Sequence, residues 1–319
     1  MAVRRIPYVN EEVSRRDFKY YIFDWDDNIL HMPTKIRMEH LEEDGTWKPV
    51  EVSTSTFALV RADTVHYRPP SEGGWAAAFA NFEDHPETEN GEERQNCFIL
   101  DTLAALEKVE QGERPGPSFN ALRKTLREGR LFAIVTARGH SPATIERAVR
   151  MFIRYALTDL EREEMMSNLR GYRQWLDGVG DGEFGTDAEE LDYYLGMCRY
   201  AAVTNVDFKE RMANDPIYRE KLAVATTAAR PELAKEFAIR DFVEHVFHML
   251  RRSGSLNRAV SIGFSDDDVG NVKTVSNFIR SELSKRFDGI KFVVYDTSDR
   301  TLAKGRKVCV SGQLNLPGF

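Results

Sequence analysis

The stretch YYIFDWDDNILHMP, residues 20–33, places three aspartates, Asp24, Asp26 and Asp27, directly behind an apolar run and then turns apolar again. A short continuous apolar run reads as a strand covered on both faces. Carboxylates crowded at its end repel one another unless a cation neutralises them, which points to a hard divalent ion, magnesium above all. An Asp-x-Asp pair alone says little, because a chain with 51 Asp and Glu among 319 residues produces one by chance. The strand in front of it supplies the specificity.

Working outward, further apolar runs of the same kind occur at residues 130–135 (RLFAIV), 258–264 (RAVSIGF) and 290–296 (IKFVVYD), with another strand expected at 199–204 (RYAAVT). Helical segments alternate with them. Residues 141–155 open with Ser141 as N-cap and Pro142 at the first helical position, and a long amphipathic helix begins at Pro231 and closes at Arg251, Arg252 and Gly254. This alternation predicts an α/β fold, a parallel sheet flanked by helices. The strands end in Asp24, Thr136 and Ser265 with Asp266, and in such sheets ligands bind at the carboxyl ends of the strands. Two segments interrupt the pattern. Residues 31–115 form a domain-sized insertion with a β-hairpin expected about Asp44-Gly45, and residues 157–198 read as an accessory element with a helical first half, a Gly-rich loop and a short helix from Thr186. The domain reading is therefore a core of 1–30 and 116–319 carrying a cap-like module of 31–115.

The ordered motifs resemble the haloacid dehalogenase superfamily of hydrolases in its phosphatase form. YYIFDWDDN is similar to the family's apolar strand and Asp-x-Asp, with Asn28 where Thr or Val is usual; LFAIVT ends in the second motif's hydroxyl, Thr136; Lys235 in PELAKEFAIRDF is the candidate for the third; AVSIGFSDDD is similar to the fourth. The resemblance implies a Rossmann-like core and a phosphate monoesterase. Asp24 would be the nucleophile that forms an aspartyl phosphate, Asp26 the general acid and base, and Thr136, with Ala137 and Arg138 beside it, the phosphate-binding side of the site. Lys235 would neutralise charge, with Lys221 and Arg230 as nearby rivals. Asp24, the backbone carbonyl of Asp26, and Asp266 or Asp267 would hold Mg2+, while Asp268 would cap the next helix with Asn271. The insertion stands where the family places a cap that selects substrate. Phosphoryl transfer to an alcohol, a nucleic-acid-end phosphatase and a catalytically silent binding protein are the alternative readings, the last supported by Asn28 alone.

Composition narrows the partners. A formal net charge of -7 and 42% hydrophobic residues describe a chain with a substantial core and no global basic field for nucleic acid, leaving room only for a local basic pocket. A small phosphorylated substrate is expected. No run approaches the length of a membrane span, and a soluble cytoplasmic protein is expected. Cys97, Cys198 and Cys309 lie too far apart for paired zinc ligands and read as buried thiols. GDGEFG at 180–185 has the letters of a dinucleotide fingerprint but follows a helix and carries acids, so it reads as a loop. EREEMM at 161–166 reads as a solvated helix face, and Trp75 and Phe79 as the insertion's own core.

Overall fold

The computed structural model describes residues 8–85, 88–89, 92–93, 96–180, 183–226, 230–255, 258–299, 301–302 and 304–311. The strands are β1 (Phe18–Phe23), β2 (Ile36–Leu41), β3 (Trp47–Val52), β4 (Tyr67–Arg68), β5 (Thr88–Glu89), β6 (Glu92–Glu93), β7 (Phe132–Thr136), β8 (Arg199–Ala202), β9 (Val260–Asp266), β10 (Ile290–Asp296) and β11 (Arg306–Ser311). Six of them form the main sheet in the order β11-β10-β9-β1-β7-β8. All neighbours run parallel except β11, which lies antiparallel on β10. The expected strands therefore sit in one mainly parallel sheet, and β11 is an addition that the apolar runs did not announce.

Strand order reverses at β1. From β1 the chain moves outward to β7 and β8, then returns to the other side for β9 and β10, and in open α/β sheets such a change of direction marks the carboxyl ends of the strands beside it as the place for a ligand. Both faces of the sheet carry a packed core, although the face of Phe23 is left partly open over β9 and β10. Tyr20, Ile22, Phe264 and Phe292 pack on one face with Phe237, Phe242 and Val246 of the helix Arg230–Arg252. Phe23, Phe132 and Ile134 pack on the other with Phe152 and Leu169. Each fully buried side chain of this size contributes about 2–3 kcal/mol.

The segment after residue 157 belongs to this second core. The helix Asp159–Tyr172 starts with a capping box at Thr158 and Glu161, and the helix Asp187–Met197 with one at Thr186 and Glu189. Met165 and Met166 are buried, so only the acidic half of EREEMM faces solvent. Residues 181–182 of the Gly-rich loop lie outside the described residues. Cys198 is buried, burial pushing its thiol up to about 12, and Cys97 is partly exposed; the side chain of Cys309 lies outside the described residues.

The insertion contains the expected hairpin. β2 and β3 pair antiparallel from Ile36↔Val52 to Leu41↔Trp47, Gly45 has φ 80°, and β4 adds a third strand. Ile36, Met38, Val52, Ala78 and Phe82 form its small core. Phe79 packs against that core while Trp75 is 51% exposed, so only one of the two aromatics is absorbed. Among the described residues no helix is long and apolar enough to cross a membrane.

Candidate active site

The parallel register brings the polar ends of three strands together. The Asp24 amide donates to the Ser265 carbonyl at 3.0 Å, continuing the β1–β9 ladder past the last paired residues and setting Asp24 beside Asp266. Lys235, on the long helix that covers one face, reaches both. Its Nζ lies 2.5 Å from Asp266 Oδ2 and 3.4 Å from Asp24 Oδ1, and all three side chains are buried. The rivals lie elsewhere, Lys221 pairing with Glu236 and Glu282 and Arg230 opening the helix.

Charge at this point is unbalanced. Burial pushes the Asp24 carboxyl well above the usual range, against the pull of Lys235, and Asp266, Asp267 and Asp26 push it further. Asp267 is pushed up to about 8 by burial, Asp266 and Asp27. Burial opposes charge on Lys235, yet Asp266 and Asp24 beside it prevail and raise its pKa. One lysine thus serves a crowd of carboxylates, and the cluster has capacity for a further cation. Asp24, Asp266 and Asp267 each present an oxygen within 4.8 Å of the others. Three carboxylate oxygens gathered this closely are a cluster of hard donors of the type magnesium prefers. Asp268 does not join it. That residue caps the helix Val269–Phe278 through the amides of Gly270 and Asn271 and pairs with Arg61 of the insertion at 3.0 Å.

Asp26 stands apart from the cluster, held by a different cation. Arg138 Nε donates to Asp26 Oδ2 at 2.8 Å and Nη2 to Oδ1 at 2.6 Å, while Thr136 Oγ1 donates to Oδ2 at 3.4 Å. The guanidinium is 1% exposed and sandwiched between the rings of Phe82 and Phe98, 4.5 and 4.7 Å from its centre. Its Nη2 also donates to Thr34 Oγ1 at 2.8 Å, and that hydroxyl in turn donates to Asp101. All four partners come from residues 31–115, Thr34 and Phe82 from its earlier part and Phe98 and Asp101 from its helix Cys97–Glu110. Nothing in the spacing of TARGHSP points to these partners. Ala137 is exposed, and its carbonyl accepts from Thr204. His140 is buried against Phe98, and burial followed by Arg138 lowers its pKa to about 3, so the ring is neutral.

Asn28 has a structural task that a Thr could fill only in part. Its Nδ2 donates to the Asp24 carbonyl at 2.9 Å and to the carbonyl and hydroxyl of Ser265 at 3.2 and 3.1 Å, and its Oδ1 accepts from Thr297 at 2.8 Å. The amide therefore ties the end of β1 to the end of β9 and to the loop after β10. Asp27, at φ 54°, makes the tight turn between, with its carboxylate taking His31 and Thr54 at 2.8 Å each. Gly116 is required beneath the turn, since a Cβ there would lie 2.5 Å from the Asn28 carbonyl oxygen. Asn28→Ala is expected to cost about 2–3 kcal/mol, because it removes buried hydrogen bonds to the Asp24 carbonyl and from the Thr297 hydroxyl, while Ser265 keeps the Asp24 amide and Ser118. Urea denaturation of the variant measures this, and an unchanged midpoint would show the ties to be dispensable.

Fold and site together define an α/β protein with a buried lysine and carboxylate cluster at the strand ends where its mainly parallel sheet changes direction. No protein-family model matches the chain, and no curated protein or solved structure matches it.

Proposed function

We propose that the chain is a magnesium-dependent phosphatase of the haloacid dehalogenase type, working through a phosphorylated Asp24. The observation that carries this reading is the meeting of Asp24, Lys235, Asp266 and Asp267 at the ends of two neighbouring strands. A buried carboxylate with a lysine beside it is an oxygen nucleophile whose charge is balanced by a neighbouring ammonium. Bound magnesium, held by Asp24, Asp266 and Asp267, would supply positive charge toward the phosphoryl oxygens.

The steps balance on the chain's own groups. An Asp24 oxygen bonds to phosphorus, the ester P–O bond breaks, and the leaving oxygen takes its proton from Asp26. Water then bonds to phosphorus, giving its proton back to Asp26, and the bond from phosphorus to Asp24 breaks. Asp26 accepts from Arg138 with both oxygens, so taking a proton in the second step displaces one of those N–H contacts. Giving a proton in the first step requires one of those contacts to slacken. Substrates whose leaving oxygen needs little help, such as aryl phosphates, should therefore be favoured over alkyl phosphates.

The test is release of inorganic phosphate from a panel of aryl, alkyl, sugar and nucleotide phosphates, with magnesium and then with chelator. Expected is magnesium-dependent release, fastest for the aryl ester. A folded, magnesium-supplied protein that releases none would overturn the phosphatase reading in favour of a binding role.

A further inference from the structure

The sheet face that carries Phe23 is covered by helices over β1, β7 and β8, and a groove of about 470 Å³ opens where β1, β9 and β10 pass beside the helix Phe119–Arg127. Strand alternation decides what lies on its floor. Ile22, Phe264 and Val294 point into the opposite core, so Tyr21, Gly263 and Tyr295 point here. Tyr21 and Gly263 are register partners, and Tyr295 pairs one step on with Ser265. A Cβ on Gly263 would lie 3.0 Å from the Tyr21 ring and 3.7 Å from the Tyr295 ring, so the two rings flank a bare stretch of backbone, both of them half-buried.

The walls are cationic in a chain whose net charge is -7. Arg123, Lys124 and Arg127 line one side and Lys304 the other, against two carboxylates, Glu128 and Glu161. Those carboxylates do not saturate the cations. Glu161 is shared between Arg123 at 2.7 Å and Arg127 at 3.8 Å, and Lys124 is 3.7 Å from Glu128 with its side chain 63% exposed. Arg123 gives Nε and Nη2 to Glu161 and Arg127 also pairs with Glu164 at 3.5 Å, so the exposed Lys124 and Lys304 are the more accessible cations of the groove. The helix wall is about 13 Å long, enough for more than one phosphate.

We propose that this groove binds single-stranded nucleic acid, with bases on the Tyr21 and Tyr295 rings and the backbone along the cationic walls. Aromatic rings between tracks of positive charge suit a strand whose bases are unpaired, since every base offers a face to stack whatever its identity. A duplex hides those faces. Ser265 joins the groove to the acid cluster, for its hydroxyl accepts from Ser118 and from Asn28, which holds the end of β1. The inference stands on the groove alone and does not require Asp24 to react.

Fluorescence anisotropy of a labelled 12-nucleotide single strand, titrated with the full chain in chelator, keeps any catalysis out of the measurement. Binding is expected to weaken with salt at a log-log slope of about -2, the value for three neutralised phosphates on a single strand. Lys124→Glu combined with Lys304→Glu should weaken it about tenfold or more, and Tyr295→Ser about fivefold or more. Lys48→Glu, an exposed cation on the insertion, should leave it unchanged. Melting curves confirm that each variant is folded. Absence of binding, equal loss in the Lys48 control, tighter binding of a duplex, or equal competition by a mononucleotide would each overturn the proposal, the last by making the groove a small-ligand pocket.

Discussion

Asp24→Asn is expected to lower phosphate release by about a thousandfold or more and to leave the fold as stable as before or firmer. Asparagine keeps the volume and loses the nucleophilic charge, so no covalent phosphoryl intermediate can form. The stability half of the expectation comes from the electrostatics. Burial already disfavours the charged form of Asp24, and three neighbouring carboxylates disfavour it further. Removing its charge relieves the crowd, while Lys235 keeps its shorter contact, 2.5 Å to Asp266. Phosphate release and a thermal melt, measured on the same preparation, test both halves. Full activity in the variant would remove Asp24 as nucleophile; a collapsed melt would show that Lys235 depends on it.

The second large effect is expected at Arg138. Arg138→Met keeps an apolar stem between Phe82 and Phe98 but removes the charge that Asp26 faces, and breaking a buried pair from one side costs about 3 kcal/mol or more. Turnover should fall about a hundredfold as well, since an acid-base group without its positioning partner loses most of its contribution. Arg138→Lys separates the two effects. It restores a charge but not the two-pronged contact, so stability should return in part while activity stays low. Urea denaturation read beside kcat and KM checks this. A stable Arg138→Met protein with unchanged kcat would relegate the clamp to packing.

Much of the framework was legible because parallel strands covered on both faces must be apolar throughout, and YYIF, FAIV, SIGF and KFVV stand out for that reason. Helix boundaries were legible where capping chemistry is local, as at Ser141 and Thr186. β11 was not, because an edge strand pairs on one side only and its sequence, RKVCVS, carries no continuous apolar run. EREEMM misled because four charged letters obscured two methionines that turn inward one helical face away. Around the acids, sequence supplied the strand ends but could not choose Lys235 over Lys221, which is a matter of which helical face meets the sheet. The aromatic clamp on Arg138 was invisible for another reason: Phe82 and Phe98 lie 56 and 40 positions before it, and nothing local marks an aromatic as a cation's partner. Asn28 looked like a departure from a motif and instead fastens three segments.

The place of β1 in the sheet also governs how the molecule is made. This strand leaves the ribosome before the rest of its sheet, and its two neighbours begin at residues 132 and 260. At ordinary synthesis rates of about 5–20 residues per second, roughly 10–50 s pass before β9 exists to pair with it. Through that interval FKYYIF is an apolar strand without its ladder, the kind of segment that invites wrong partners. Lys19 within it and the charged residues on either side, Arg15, Arg16 and Asp17 before and the aspartates after, are of the kind that discourages such mispairing. The acids that crowd the finished site are thus placed to shield the strand while it waits.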